Sequence, residues 1–96
     1  MSSRTEIDRY VLDTLMRDLV GHDHRTSSYL VFLFVLGAGD GKPVVLSHQQ
    51  LADGAGLAKR TVQDAVAHLV RRGYLAVERR GPTEPATLRP LFPWQS

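Results

Sequence analysis

The stretch SHQQLADGAGLAKRTVQDAVAHLVRRG, residues 47–73, predicts two short helices joined by a tight turn. Ser47 followed by Gln50 forms a capping box, in which each side chain satisfies a backbone N–H at the start of the first helix. Gly54 and Gly56 can take the positive φ that ends this helix and turns the chain. Its apolar residues share one side: Leu51, Ala52 and Ala55.

The second helix begins near Lys59 and ends at Gly73. Its apolar residues follow the spacing of a single buried face, and they are Val62, Ala65, Val66, Leu69 and Val70. The remaining residues form a polar and largely basic face: Lys59, Arg60, Thr61, Gln63, Asp64, Ala67, His68, Arg71 and Arg72. The pattern therefore predicts an amphipathic helix with its charged side in solvent.

Three residues in this stretch give it a resemblance to the helix-turn-helix signature. Ala52 is small where the second helix crosses over the first, and Gly56 supplies a backbone angle that a side chain would resist. Val62 points into the angle between the two helices. The family usually caps its second helix with Ser or Thr, whereas this chain has Ala58, a change that costs a helix about 1 kcal/mol.

The segment GYLAVERRGPTEPATLRPL, residues 73–91, resembles the two-stranded wing of winged-helix proteins. The resemblance implies a mainly α fold with a small antiparallel β-hairpin wing, a winged helix-turn-helix with an extra N-terminal helix. We expect a single winged-helix domain over residues 1–96, frayed at residues 1–5. Its parts are an N-terminal helix at 6–20, a first core helix at 26–36, a short strand at 43–46, the helix-turn-helix at 47–73 and the wing at 74–91, with a stiff loop at 81–85.

Composition is that of a soluble globular domain, and we expect a cytoplasmic protein. The chain has no cysteine, which excludes disulfides and thiolate metal sites. Its longest apolar run, residues 29–36, is too short to cross a bilayer. Residues 1–58 contain five lysines and arginines against seven acidic residues, whereas residues 59–96 contain seven against three. The positive half is the half with the second helix and the wing, where contact with phosphates would require it.

The N-terminal helix has an apolar face wider than a lone surface helix needs. Thr5 is its expected cap and Gly21 its expected end. One stripe contains Ile7, Tyr10, Val11, Leu15 and Leu19, and Leu12, Met16 and Val20 lie beside it. The face can pack on its own domain, or it can pair with a second copy, as in many dimeric winged-helix repressors. We predict a homodimer through this helix.

Two other segments leave alternatives open. Periodicity does not decide whether YLVFLFVL, residues 29–36, is a buried strand or a buried helix. We predict a helix because the winged-helix resemblance expects one there. His22, Asp23 and His24 contain metal-ligand chemistry, but their spacing is more typical of a solvated loop, and we predict no metal.

The resemblance implies a DNA-binding protein of the small bacterial transcriptional-regulator type, with the second helix in the major groove. Arg60 can pair with guanine and Gln63 with adenine, and Thr61 and Asp64 lie close enough to join them. Phosphate contacts are expected at Ser47, His48 and Lys59. The wing arginines, Arg79 and Arg80, are expected to reach either the neighbouring backbone or the minor groove. His68 completes the predicted DNA-binding set, although Asp64 can also pair with Arg60 or His68 within the helix.

Two other classes of function compete with DNA binding. Winged helices also serve as protein-interaction modules in replication and other assemblies, and Ala58 and Asp64 keep that alternative open. An enzyme is the weakest candidate. The sequence shows no nucleophile paired with a general base, no paired carboxylates and no phosphate-binding glycine loop. We therefore expect no catalytic residues and no cofactor.

Overall fold

The computed structural model describes residues 4–82 and 84–95, so that residues 1–3 of the expected frayed end and Thr83 of the expected stiff loop lie outside the described residues. The N-terminal helix consists of two consecutive π-helical stretches, Val11–Leu15 and Arg17–His22. It is followed by α1 (Thr26–Gly39), β1 (Val44–Leu46), α2 (His48–Ala55), α3 (Lys59–Arg71), β2 (Leu75–Glu78) and β3 (Ala86–Pro90). The predicted fold class is confirmed, because the helices accompany a small three-stranded antiparallel sheet as in a winged helix.

The helix-turn-helix has the two helices that its sequence predicts. The capping box at the start of α2 is formed, with the Gln50 N–H donating to Ser47 Oγ at 3.0 Å and the Ser47 N–H donating to Gln50 Oε1 at 2.9 Å. Gly56 ends α2 with a φ of 72°. Ala52 and Val62 are both buried in the common core.

Gly54 has a different role from the predicted one. It lies inside α2 and does not turn the chain, because the left-handed residue is Gly56. A Cβ at Gly54 would overlap the ring of Phe34 on α1. The missing side chain therefore allows α1 to approach α2 closely.

The segment whose periodicity was undecided is the helix α1, as the resemblance predicts, and it extends to Gly39 rather than ending at Leu36. The helix ends at Asp40, which takes a φ of 51°, and the Gly41 N–H donates to the Leu36 carbonyl at 3.0 Å. Neither α1 nor any other helix within residues 4–82 and 84–95 has the length and apolar content needed to span a membrane.

The sheet has the order β1-β3-β2, so that the second strand of the wing lies in the centre. Val44 pairs with Leu88 on one side, and Val77 pairs with Leu88 on the other. Pro90 is the last residue of the central strand, where it lies opposite Leu75. The chain tolerates proline there because the next residue, Leu91, donates its N–H to the Tyr74 carbonyl at 2.9 Å.

The N-terminal helix begins and ends at other residues than the sequence predicts. Helical backbone begins at Arg9, and the Asp8 carboxylate, not Thr5, accepts the Tyr10 N–H at 2.9 Å. Gly21 lies within the second π-helical stretch, which is closed by the Asp23 N–H donating to the Asp18 carbonyl. A π-helical turn contains more residues than an α-helical turn, so residues four apart lie on nearly the same side of the helix. The stripe that packs in the core is fully buried and consists of Val11, Leu15 and Leu19.

The chain's C-terminal tail packs against the start of this helix. The Trp94 ring stacks on the Tyr10 ring with 4.4 Å between centroids. Its Nε1 donates to the Asp8 carboxylate at 3.1 Å, and Gln95 Nε2 donates to the same oxygen at 2.9 Å. Hydrogen bonds from Trp94, Gln95 and the Tyr10 backbone lower the pKa of Asp8 below its ordinary value.

A polar cluster, defined here as Asp18, Asp23, His68, Arg72 and Tyr74, joins the N-terminal helix to the end of α3. Asp23 accepts His68 Nε2 at 2.8 Å and Arg72 Nε at 2.9 Å, while Asp18 accepts the Arg72 guanidinium and, at 3.1 Å, the Tyr74 hydroxyl. Burial alone would raise the pKa of Asp23, but hydrogen bonds from His22, His68 and Arg72 outweigh it and hold the pKa well below its usual range.

The polar cluster predicts a pH-dependent stability. We expect Asp23→Asn to lower the free energy of unfolding at neutral pH by about 1–2 kcal/mol, because it removes the negative charge that strengthens the hydrogen bond from Arg72. The effect is modest because the Arg72 side chain is partly exposed to solvent. The pKa of Asp23 is lower in the folded than in the unfolded chain, so this stabilisation is complete above about pH 4 and is lost as the pH falls further. Urea unfolding at neutral and acidic pH measures the difference.

The matched control for this change is Asp64→Asn. Asp64 pairs with Arg60 at 3.5 Å in an exposed ion pair within α3, and such pairs contribute about 0.5 kcal/mol or less. Equal effects of the two substitutions at neutral pH would contradict a stabilising role of the polar cluster.

Candidate nucleic-acid interface

The start of α3 presents its polar side chains to solvent. The Arg60 side chain is 82% exposed and the Asp64 side chain 60% exposed, and the two form an ion pair at 3.5 Å. Gln63 and Lys59 are exposed as well, while Thr61 is half-buried. Ala58 precedes the helix without any side-chain cap, as its sequence implies. Within the described residues, nothing in the fold covers this end of the helix.

A groove of about 270 Å³ lies between the start of α2, the start of α3 and the wing. Four of the predicted contact residues line it together, namely Ser47, His48, Lys59 and Arg79. Its apolar lining includes core and half-buried residues of the helices and the sheet, such as Leu51, Val66, Val77 and Leu88. The sequence places these four polar residues in three separate segments, and the sheet pairing of the wing brings them to one place.

The groove has a positive electrostatic character around His48. Burial, followed by the positive charges of Arg79 and Lys59, lowers the pKa of this imidazole below its ordinary value. Glu84 of the wing loop is the acidic residue of the lining. Two permanent cations and a histidine therefore face a common space with one carboxylate.

The two adjacent arginines of the wing separate. Arg79 lines the groove, whereas Arg80 lines a shallow depression on the outer face of the sheet with Val45, Thr87 and Glu78. Both arginines follow β2 and continue the alternation of its last residues, since Val77 lines the groove and Glu78 the outer depression. The prediction treated the pair as one unit, and the geometry assigns them to different surfaces.

His68 lies apart from the other residues in the predicted set. Its side chain is 14% exposed, and Nε2 is 2.8 Å from Asp23 in the polar cluster. The alternative partner Asp64 pairs with Arg60 instead. No local pattern in the sequence indicates the contact with Asp23, because the two residues are 45 positions apart in the chain.

Two of the three residues considered as metal ligands in the sequence, His22 and Asp23, lie beside Asp18 in the structure. Within the described residues, Asp18, His22 and Asp23 bring potential ligand atoms within 4.8 Å of one another. Both carboxylates already bind the Arg72 guanidinium. The positive charge of Arg72 therefore already neutralises these two carboxylates in part.

The N-terminal helix carries a second apolar stripe that the core does not cover. Leu12 is 47% exposed and Met16 is 41% exposed, and Val20 is half-buried beside them. These residues line a shallow depression together with Asp13 and Arg17. The helix thus packs one stripe into its own domain and leaves the other at the surface.

Comparison with known proteins gives one structural match. The chain is similar to a solved structure described as "N-Terminal domain of DNA binding protein", with a TM-score of 0.56 and 16% sequence identity over 95% of this chain and 76% of that chain. No protein-family model and no curated protein match the sequence. At this level of identity the similarity establishes a shared fold.

NMR titration of the His48 ring tests the groove without any ligand. We expect Arg79→Gln to raise the pKa of His48 toward its ordinary value of about 6.5, because the substitution removes a neighbouring positive charge. Arg80→Gln is the matched control, since it makes the same change one residue away on the outer face. Equal shifts in the two variants would contradict the separation of the arginines.

Proposed function

We propose that this protein binds double-stranded DNA sequence-specifically, with α3 in the major groove and the wing beside the backbone, and that it acts as a transcriptional regulator. The observation that carries the proposal is the exposed side of α3 next to the groove that contains His48, Lys59 and Arg79. Base edges and backbone phosphates are adjacent on DNA in the same way.

The first turns of α3 supply the chemistry for base recognition. Arg60 can donate two hydrogen bonds to guanine O6 and N7, and Gln63 can bind adenine N6 and N7. Asp64 can accept from a cytosine amino group once its ion pair with Arg60 opens. That exposed pair contributes little to stability, so opening it costs little. Because Thr61 is half-buried, we expect it to contribute little to base recognition.

Phosphate contacts come from the residues around the groove. Lys59 and Arg79 supply positive charge there with His48 beside them, and the backbone N–H groups of His48 and Gln49 at the start of α2 lie outside the capping box. Ser47 uses its oxygen as the cap of α2, which keeps those N–H groups in place. Arg80, on the outer face, is positioned for a backbone contact farther along the wing.

The similar solved structure, itself described as part of a DNA-binding protein, supports this assignment over that of a protein-interaction module. A module that binds only protein has no need to keep Lys59, Arg60 and Gln63 together on one uncovered helix start. The two functions differ in a measurable property, because binding through phosphates weakens steeply with salt.

Arg60 provides the most direct test of α3. We expect the protein to bind mixed-sequence duplexes at low salt with an affinity that falls steeply as salt rises, and Arg60→Ala to weaken binding to a selected site about tenfold or more. Fluorescence anisotropy measures both. Arg9→Ala is a closely matched control, because Arg9 is 84% exposed and also pairs with an aspartate four residues later, Asp13.

The outcomes separate the candidate functions. Equal affinities of the Arg60→Ala and Arg9→Ala variants would exclude α3 from the major groove. Failure to bind any duplex at low salt would overturn DNA binding and favour the protein-interaction module.

A second copy of the chain is the proposed partner of the exposed apolar stripe, which gives a homodimer through the N-terminal helix. The stripe of Leu12, Met16 and Val20 is flanked by one acidic and one basic residue, Asp13 and Arg17. In an antiparallel pair related by a twofold axis, Asp13 of each copy faces Arg17 of the other. This charge complementarity favours self-association, and a dimer would bind two half-sites about one helical turn apart.

Leu12→Lys tests the dimer. We expect the wild-type protein to have the mass of a dimer in light scattering and the variant that of a monomer, because a buried lysine without a partner is costly at an interface. Leu30→Lys is the control, since Leu30 on α1 is a comparably exposed leucine at 40%. A monomeric wild type, or a Leu12→Lys variant that stays dimeric, would contradict this interface.

A further inference from the structure

His48 differs from the other cations of the groove, because its charge changes near neutral pH whereas those of Lys59 and Arg79 do not. We propose that His48, together with Lys59 and Arg79, holds a phosphodiester of the DNA backbone and takes up a proton when it does so. The affinity of the protein for DNA then falls as pH rises. This inference rests on the proposed DNA binding and adds a regulation to the same site.

The surroundings of His48 determine the direction of the effect. Lys59 faces it from α3 and Arg79 from the end of β2, while Ser47 and Gln49 flank it on α2. Glu84 of the wing loop is the opposite charge on the lining, and it leaves an excess of positive charge. The apolar floor of the groove strengthens these interactions by excluding water.

In the free protein these groups oppose protonation. Burial and the charges of Arg79 and Lys59 lower the pKa of His48, so the ring is largely neutral at neutral pH. A phosphodiester between the three side chains adds a negative charge beside the ring and reverses the balance. The pKa of His48 is therefore higher in the complex than in the free protein.

By thermodynamic linkage, the difference between the free and bound pKa values of His48 makes the affinity for DNA depend on pH. Because the complex holds more protons than the free components, raising the pH weakens binding between the free and the bound pKa values of His48. The decrease is at most about tenfold per pH unit for one proton. Affinity levels off above the bound pKa, where Lys59 and Arg79 alone hold the phosphate.

The other histidines, which are His22, His24 and His68, lie outside the groove. His68 and His22 both contact the Asp23 carboxylate, at 2.8 and 3.0 Å, and these contacts are present without DNA. His24 is exposed in the turn before α1, where it has a φ of 56°. Within the described residues, only His48 among these four lines the groove.

The test measures duplex affinity by anisotropy from about pH 5.5 to 8 at constant ionic strength, which brackets an ordinary histidine pKa. We expect affinity to fall several-fold with pH in the wild type. In His48→Gln, which keeps a hydrogen-bond donor without a titratable charge, we expect the same measurement to be flat and close to the wild-type value at high pH. His24→Asn is the control, because asparagine tolerates the left-handed backbone of His24 and should keep the wild-type slope.

NMR titration identifies the site of proton uptake. We expect the duplex to raise the pKa of His48 and inorganic phosphate at equal concentration to leave it unchanged, because free phosphate lacks the contacts of α3. An equal shift with inorganic phosphate would overturn the assignment to the DNA backbone.

The failures of the two proposals are distinguishable. Binding that is intact but independent of pH, or a pH slope that persists in His48→Gln, would overturn the proton linkage and leave DNA binding in place. An absence of duplex binding at every pH would remove the proposed function itself.

Discussion

The close approach of α2 to its neighbours is the constraint on which the other features depend. Gly54 allows α2 to lie against the ring of Phe34 on α1, and Ala52 is buried in the core that also contains Val62 of α3. Larger side chains at these two positions would push α2 outward, and overpacking of this kind costs about 1–3 kcal/mol. The same approach brings the start of α2 beside the start of α3, where His48 and Lys59 line one groove.

Positive charge is used in two ways in this molecule. In the polar cluster, the charge of Arg72 and the hydrogen bonds of Arg72 and His68 to Asp18 and Asp23 hold one helix to another. Around the groove, burial and then the charges of Arg79 and Lys59 lower the pKa of His48, and Glu84 is the acidic residue of the lining. A small net charge of +2 thus conceals an uneven distribution, in which Arg72 is paired with two carboxylates whereas Lys59 and Arg79 face the groove.

The sequence predicted the parts of the fold that depend on local chemistry. The capping box of Ser47 and Gln50, the left-handed Gly56 and the buried face of α3 each need only neighbouring residues, and each is present. Long-range contacts could not be predicted in this way. The partner of His68, the capping of the N-terminal helix by Asp8 and the π-helical register all depend on tertiary packing. The separation of Arg79 from Arg80 follows from strand alternation, and an explicit count of faces would have found it.

The N-terminal helix connects the two proposed interfaces of the molecule. One stripe, with Leu15 at 0% exposure, is part of the core, and Leu12 on the other stripe is at the surface. Asp18 on the same helix binds Arg72, which directly follows α3. A second copy bound to the outer stripe would therefore fix the distance between two copies of α3 through this short rigid path. The spacing of two DNA half-sites is then determined by the polar cluster as much as by the apolar contact, because the cluster sets how α3 is attached to the helix that pairs.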